Sequence, residues 1–100
     1  MFVVANRFAV AEGQGEAFVE RFADSMGDVA DQPGFVRFDL LAPADDRDTY
    51  VAQTYWESEA DFERWTDSAS FHEAHADSPP REMFTDHPTL ETYETAVSRE

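Results

Sequence analysis

The stretch "GFVRFDLLAPADDRDTYVAQTYWE", residues 34–57, has the pattern of two strands joined by a polar loop. Its outer runs, at 35–42 and 49–57, are rich in aromatic and β-branched residues, which strands favour. Between them, residues 43–48 include a proline and four charged side chains, a composition typical of a loop. The stretch therefore predicts a hairpin with a long tip in the middle of the chain.

The segment before the hairpin predicts one strand and one helix. Residues 2–10 alternate with a period of two, so their side chains fall on two faces of a strand. One face carries Phe2, Val4, Asn6, Phe8 and Val10, and the other carries Val3, Ala5, Arg7 and Ala9. Residues 15–30 then follow a helical period. The apolar stripe of this helix consists of Phe18, Phe22, Met26 and Val29.

Two further helical segments and a last strand are predicted after the hairpin. Ser58 and Asp61 form a capping box, which supplies partners for the first backbone N–H groups of a helix. A second capping box begins at Ser70 and starts a helical turn or two over 71–76. Residues 89–97 have the composition of a final strand.

The order strand, helix, strand, strand, helix, strand predicts an α+β fold. It is the order of the ferredoxin-like split βαβ arrangement, in which helices cover one face of an antiparallel sheet. The other face would keep Val3, Ala5 and Ala9, with some of the aromatic residues of the second and third strands. Because so apolar a face is seldom left in water, we expect a homodimer in which two sheets form a dimeric α+β barrel. The whole chain, residues 1–100, is expected to be one domain of this kind.

The composition is strongly acidic, with 22 Asp and Glu against 7 basic residues and a formal net charge of −15. This balance argues against partners that recruit Lys and Arg, namely nucleic acid and anionic membrane surfaces. A hydrophobic content of 42% and an aromatic content of 14% argue against disorder. We interpret the carboxylate coat as that of a halophilic protein, since salt screens its self-repulsion. An acidic protein from an ordinary host is the alternative.

Several features favour a cytoplasmic protein. The chain has no cysteine, so a disulfide framework and thiolate chemistry are both excluded. The N-terminal run lacks a basic leading region, and Asn6 and Arg7 interrupt its apolar residues, unlike a signal peptide. No stretch approaches the roughly 20 apolar residues that a membrane span requires.

Asn6 is anomalous because it interrupts the more apolar face of the first strand. Asn is depleted in strands, and burying an amide without a partner costs on the order of 1–3 kcal/mol. A backbone carbonyl or a neighbouring side chain would satisfy the amide in a purely structural role. The alternative is an amide that points into a ligand pocket between the sheet and the helices.

The stretch "WTDSASFHEAH", residues 65–75, contains a Trp and two of the three His of the chain. Trp65 shares the inner face of its helix with Phe62, three residues earlier, and a Trp in that position usually belongs to the core. His72 and His75 lie on a short acidic segment, where such a pair is usually solvated. A helix N-terminus nevertheless favours the neutral, metal-binding form of His75. Four residues before His75, Phe71 lies on the same helix face and would anchor the segment.

These motifs together resemble the antibiotic-biosynthesis-monooxygenase (ABM) superfamily. The resemblance rests on "ANRF" at 5–8, "QPGFVRFDLL" at 32–41, "TYWES...F..W" at 54–65 and "F..AH" at 71–75. Within the superfamily the chain is most similar to the Isd-type haem-degrading monooxygenases, over residues 2 to about 76.

The resemblance implies an active constellation of Asn6, Trp65 and His75. His75 would be the axial ligand of the haem iron, and Asn6 would hydrogen-bond on the distal side. Trp65 would press on the porphyrin and buckle it, which exposes a meso carbon to oxidation, and Phe71 would line the same site. Haem would be both substrate and cofactor, cleaved with dioxygen and an external electron donor, with release of iron.

The haem propionates are anionic, so the resemblance also implies at least one Arg near the mouth of the pocket. Arg7, Arg64 and Arg81 are the candidates. His72 is an additional imidazole that would compete with His75 as an iron ligand.

Three other functions stay open at this point. A cofactor-independent monooxygenase of the same superfamily would oxidise an aromatic quinol, with His75 as a base. A non-catalytic haem-binding protein would use the same pocket, and a structural dimer module would need no pocket. Loss of the colour of added haemin with a reductant and air separates haem degradation from all three.

Overall fold

The computed structural model describes residues 1–24, 29–74 and 80–100. Its strands and helices are, in chain order, β1 (Phe2–Ala9), α1 (Gly15–Asp24), β2 (Phe35–Leu41), β3 (Thr49–Trp56), α2 (Glu59–Thr66), α3 (Ala69–Ala74) and β4 (Thr89–Glu94). Two single 3₁₀ turns, Val29–Asp31 and Arg81–Met83, lie before β2 and before β4. The predicted order of elements is confirmed.

The strand β1 lies inside the sheet, between β3 and β4. The order across the sheet is β2-β3-β1-β4, and all neighbouring strands are antiparallel. This topology confirms the predicted ferredoxin-like α+β fold. Residues directly opposite one another on antiparallel strands project to the same face. The register therefore assigns each side chain of the sheet to the face covered by helices or to the open face.

Some predicted boundaries are wrong. Val29 lies in a 3₁₀ turn instead of in the first helix, and Met26 falls outside the described residues. Helix α3 begins before Ser70, because the Ser68 hydroxyl accepts a hydrogen bond from the Phe71 N–H at 3.1 Å. The last strand ends at Glu94 instead of residue 97.

The core lies on the helix-covered face and consists of two clusters. The first cluster is formed by Phe2, Val4, Val29 and Trp56, against which Phe35, Phe62 and Trp65 pack. The second cluster is formed by Val10, Phe18 and Met83, against which Phe8, Phe22, Leu40, Tyr50 and Phe84 pack. Trp56 is fully buried, and its indole N–H donates to the Thr54 hydroxyl at 3.0 Å. This hydrogen bond replaces the bond to water that the indole N–H loses when it is buried.

Helix α2 is fixed against the start of β2 by a glycine. Gly34 has a φ of 80°, a conformation that favours glycine, and a Cβ at this position would collide with the Asp61 carboxylate. The Glu57 N–H donates to the Gly34 carbonyl at 2.8 Å. The Ser58 hydroxyl accepts from the Asp61 N–H at 3.3 Å, which confirms the predicted N-cap. These contacts set the position of α2 over the sheet.

The open face of the sheet differs partly from the prediction. Val3, Ala5 and Ala9 lie there, as expected from the alternation in β1. Of the aromatic residues in β2 and β3, only Tyr55 lies on this face, opposite Val3. The others, which face the helices, are Phe35, Phe38, Tyr50 and Trp56. The expectation that some aromatic residues of β2 and β3 lie on the open face is therefore confirmed for Tyr55 and for no other residue of these two strands.

The open face also carries paired charges. Arg7 on β1 is bonded to Glu91 on β4 at 2.5 Å, and Arg37 on β2 to Asp39 at 2.9 Å. The Arg37 guanidinium also lies 5.8 Å from the centre of the Tyr55 ring. The hydrogen bond from Arg7 lowers the pKa of Glu91, so this carboxylate stays ionised to more acidic pH.

Most carboxylates have no basic residue to pair with, since acidic residues outnumber basic ones by 22 to 7. Ion pairs within the described ranges join Arg7 to Glu91, Arg37 to Asp39, Arg47 to Asp45 and Arg64 to Asp61. All are at the surface, where such pairs contribute little to stability. None of the described helices is long and apolar enough to cross a membrane.

We predict that salt stabilises the fold. Raising the ionic strength from about 10 mM to about 1 M shortens the Debye length from about 30 Å to about 3 Å and screens the carboxylate repulsion. The thermal midpoint should rise steeply in both sodium chloride and potassium chloride. Glycine betaine at matched osmolarity, which screens no charge, is the control. A thermal midpoint that does not change with salt would contradict this prediction.

Candidate functional site

One row of side chains crosses the helix-covered face between the two core clusters. The register places Asn6 of β1 opposite Ala52 of β3 and Leu90 of β4, and Ala52 opposite Leu40 of β2. Along β1, Val4 before Asn6 belongs to the first cluster, while Phe8 after it packs on the second. We call Leu40, Ala52, Asn6 and Leu90 the middle row. At the centre of this row, the small side chain of Ala52 lies beside the amide of Asn6.

Asn6 is half-buried on this face. No hydrogen bond joins its side-chain amide to another residue in the described ranges 1–24, 29–74 and 80–100. The structural role considered for Asn6, an amide satisfied by its protein neighbours, is therefore not found among these residues. The amide has both donor and acceptor capacity for a ligand on the helix-covered face.

Trp65 borders the first cluster from helix α2. Its ring stacks on Trp56, with centroids 5.5 Å apart and an interplanar angle of 29°. Phe62, one turn earlier, contacts the same two rings at 5.9 Å and 6.4 Å. The predicted inner face of this helix is confirmed. Because Trp65 is only half-buried, part of its ring is outside the packed core.

A serine joins helix α2 to helix α3. The Ser68 hydroxyl donates to the Trp65 carbonyl at 2.6 Å and accepts from the Phe71 N–H at 3.1 Å. The Phe71 ring lies edge-on to Trp65, with centroids 4.8 Å apart and planes at 89°. Phe71 therefore anchors α3, as predicted, and it does so against the candidate Trp itself.

The two candidate imidazoles differ in what the structure says of them. His72 is exposed, and its ring is 5.8 Å from that of Phe71 on the same helix. His75, the predicted iron ligand, lies outside the described residues. The described part of α3 ends at residue 74, immediately before His75 in the sequence.

The three candidate arginines are separated by the fold. Arg7 is on the open face, held by Glu91, and so cannot meet a ligand beside Asn6 of its own chain. Arg64 is exposed on α2 and bonded to Asp61 at 2.8 Å. Arg81 is exposed in the 3₁₀ turn before β4. The prediction of Arg7 is wrong because odd and even positions of β1 face opposite sides of the sheet.

Comparison with known proteins agrees with this fold. The sequence profile of the family described as antibiotic biosynthesis monooxygenase matches residues 1–77. This chain belongs to that family. The match includes β1, both strands of the hairpin, α2 and α3, and so Asn6, Trp65, Phe71 and both candidate imidazoles, but it ends before Arg81 and Leu90.

Individual members of the family give a narrower similarity. A haem-degrading monooxygenase of Shouchella clausii is 35% identical over 101 residues, which cover 99% of this chain and 94% of the relative. A staphylobilin-producing haem oxygenase of Staphylococcus haemolyticus is 41% identical over 78 residues, 75% of this chain and 73% of the relative. The solved structure of MhuD, a haem degrader of Mycobacterium tuberculosis with two haems bound in its active site, superposes with a TM-score of 0.81. It is 29% identical, and each chain is covered fully.

Sequence reasoning missed two features of the site. The sequence favours Ser70 as the N-cap of α3, because Ser70 precedes a glutamate at capping-box spacing. The backbone hydrogen bond from Phe71 shows that Ser68 is the cap instead. The sequence does not indicate Leu90, because it does not determine the register between the first and last strands. Both depend on contacts between segments far apart in the chain or on exact helix boundaries, which local patterns do not determine.

Ser68→Ala should destabilise the α2–α3 junction. Loss of a serine N-cap typically costs about 1 kcal/mol, and the Phe71 amide should also exchange faster with solvent. Urea unfolding and hydrogen exchange measure the two effects. The matched control is Thr66→Ala, because the Thr66 hydroxyl bonds only to the Glu63 carbonyl of its own helix, at 2.8 Å. Equal effects of the two substitutions on Phe71 exchange would refute a bridging role for Ser68.

Proposed function

We propose that this chain is a haem-degrading monooxygenase, which uses dioxygen and electrons from an external donor to cleave haem and release its iron. The observation that supports this most directly is the placement of Asn6, half-buried without a described partner between two aromatic clusters. The family membership and the names of its relatives agree with the proposal.

The residues of the site suit a flat, largely apolar macrocycle. Ala52, at the centre of the middle row, adds little bulk above the sheet. Trp65 and Phe71 bring two aromatic rings from the helices, at right angles to each other. Such rings bind a porphyrin through apolar contact and stacking. When bound, haem supplies the iron at which dioxygen is activated and also the ring that is opened, so it is cofactor and substrate together.

Each candidate residue then has a distinct role. The Asn6 amide would donate a hydrogen bond to a ligand held over the helix-covered face, and so would orient and polarise the oxygen that haem iron supplies when bound. Trp65 restricts the shape of the bound ring, since its stacking on Trp56 holds the indole rigidly. Phe71 lines the site and holds α3 against Trp65.

His75 is our proposed axial ligand of the haem iron. The proposal rests on the resemblance and on its place in the sequence, ten residues after Trp65 and directly after α3. A neutral imidazole is a common haem ligand. Helical spacing would separate the directions of two side chains three residues apart by roughly 60°, so we do not expect His72 to serve the same iron.

The propionates are expected to meet Arg64 or Arg81. Both are exposed cations, but the charge of Arg64 is already compensated by Asp61. Arg81 makes no ion pair with any residue in the described ranges, so we favour Arg81.

We further propose that residues 1–100 form one domain, that two copies pair through their open sheet faces, and that the dimer works in a salt-rich cytoplasm. Val3, Ala9 and Val51, which are half-buried, supply apolar surface to that face. The Arg7–Glu91 pair would neutralise its own charges there. The net charge of −15 on each chain explains why pairing should need salt.

Haemin titration tests the roles of the site residues. We predict a Soret shift for the wild-type protein that is lost in His75→Ala and kept in His72→Ala, since only one of the two imidazoles reaches the iron. Asn6→Ala should still bind haemin, because the amide makes no bond to iron, but turnover with a reductant in air should fall about 100-fold or more. Trp65→Phe should bind haemin but degrade it more slowly.

Other outcomes of the titration assign other functions. If His72→Ala abolishes the shift and His75→Ala does not, the ligand assignment is wrong. If the wild-type protein shows no shift but oxidises an aromatic quinol without added cofactor, the quinol monooxygenase is the function. Binding without degradation indicates a haem carrier.

Sedimentation in about 1 M salt tests the dimer. The wild-type protein should have about twice the chain mass of 11.4 kDa. Val51→Glu, which places a carboxylate on the open face opposite Arg7, whose charge Glu91 already neutralises, should shift the protein toward the monomer. A wild-type monomer at micromolar concentration would contradict the proposed barrel.

A further inference from the structure

The outermost residue of the middle row is unusually exposed for a leucine. Leu90 lies opposite Asn6 on the helix-covered face, yet its side chain is 60% exposed. The strand β4 is at the edge of the sheet, and the same-face residues beyond Leu90, Thr92 and Glu94, are also exposed. The helix-covered face is therefore open to solvent along β4, next to Asn6.

The exposed apolar surface on this side of β4 is confined to one position. Leu90 is followed on its face by a threonine and a glutamate, both polar. Stable protein–protein interfaces bury at least about 1,200 Å² in total, far more than one leucine supplies. Leu90 is instead placed to contact a small ligand that binds over Asn6.

We propose that Leu90 is a haem-contact residue, over which the apolar edge of the macrocycle projects from the site at Asn6. This inference rests on the proposed haem-degrading function and adds to it a contact residue at the β4 edge of the sheet. The contact is apolar, so it would hold the methyl and vinyl groups of the ring. The propionates would then point toward another side of the site.

The β2 edge of the sheet offers a matched control for Leu90. Leu41 is also a leucine on an edge strand and is 45% exposed, but its register partner is Val51, opposite Arg7, on the open face. Leu90→Thr and Leu41→Thr make the same chemical change at the two edges. Threonine favours strands, so neither change should disrupt the sheet.

Haemin titration of the full chain at high salt distinguishes the two positions. Leu90→Thr should weaken haemin binding about five- to tenfold, the loss expected when about half of a leucine side chain is no longer buried. Leu41→Thr should change the dissociation constant less than twofold. Sedimentation of both variants without haemin should show that Leu90→Thr leaves the oligomeric state unchanged.

The outcomes distinguish failure of the Leu90 contact from failure of the proposed function. If the wild-type protein binds no haemin, the proposed function fails and the contact fails with it. If the wild-type protein binds haemin and Leu90→Thr binds it equally well, the contact is wrong and the function stands. If Leu90→Thr alters the sedimentation coefficient of the haemin-free protein, Leu90 belongs to an interface between chains and the inference is overturned.

Discussion

The register of β1 between its two neighbours is the constraint on which the site depends. It places Asn6 opposite the small Ala52 on one side and the exposed Leu90 on the other. A shift of the register by one residue would turn Asn6 to the open face and bring Arg7 to the helices. Two buried clusters, one at each end of β1, oppose such a shift. The same packing that stabilises the sheet thus keeps an amide between the two clusters.

The second constraint is the arrangement of α2 and α3. Gly34 and Asp61 fix the start of α2 against β2, and Trp65 stacks on the buried Trp56 near its end. Ser68 then sets the direction in which α3 leaves α2. Trp65 and Phe71 therefore have fixed positions before any ligand binds. Because these two rings are held in place beforehand, binding a ligand against them costs less conformational entropy.

Much of this fold follows from local sequence patterns. The alternation in β1 predicts that Phe2, Val4 and Phe8 face the helices, and the Ser58 capping box predicts the start of α2. Local patterns fail where pairing between distant segments decides. Local patterns put Phe35 and Phe38, three residues apart in β2, on opposite faces, but the register irregularity between Phe35 and Arg37 brings both to the helix-covered face. They also leave the position of Leu90 undetermined.

The candidate site is predicted less completely than the fold. Asn6 is recognisable because an amide interrupts an apolar alternation, and Trp65 because it shares a helix face with Phe62. Neither pattern indicates haem, which enters only through the family resemblance. The alternation in β1 already excludes Arg7 from the face that carries Asn6, and the register confirms this.

The most direct measurement of the central claim is iron release during haemin turnover. The haemin complex of the wild-type protein is given a reductant in air, in the presence of catalase, and freed iron is measured with a ferrous chelator as the Soret band decays. We expect the wild-type protein to release close to one iron for each haemin lost, and Asn6→Ala to release little. A stable Soret band with no iron released would contradict it and leave a haem-binding protein without this activity.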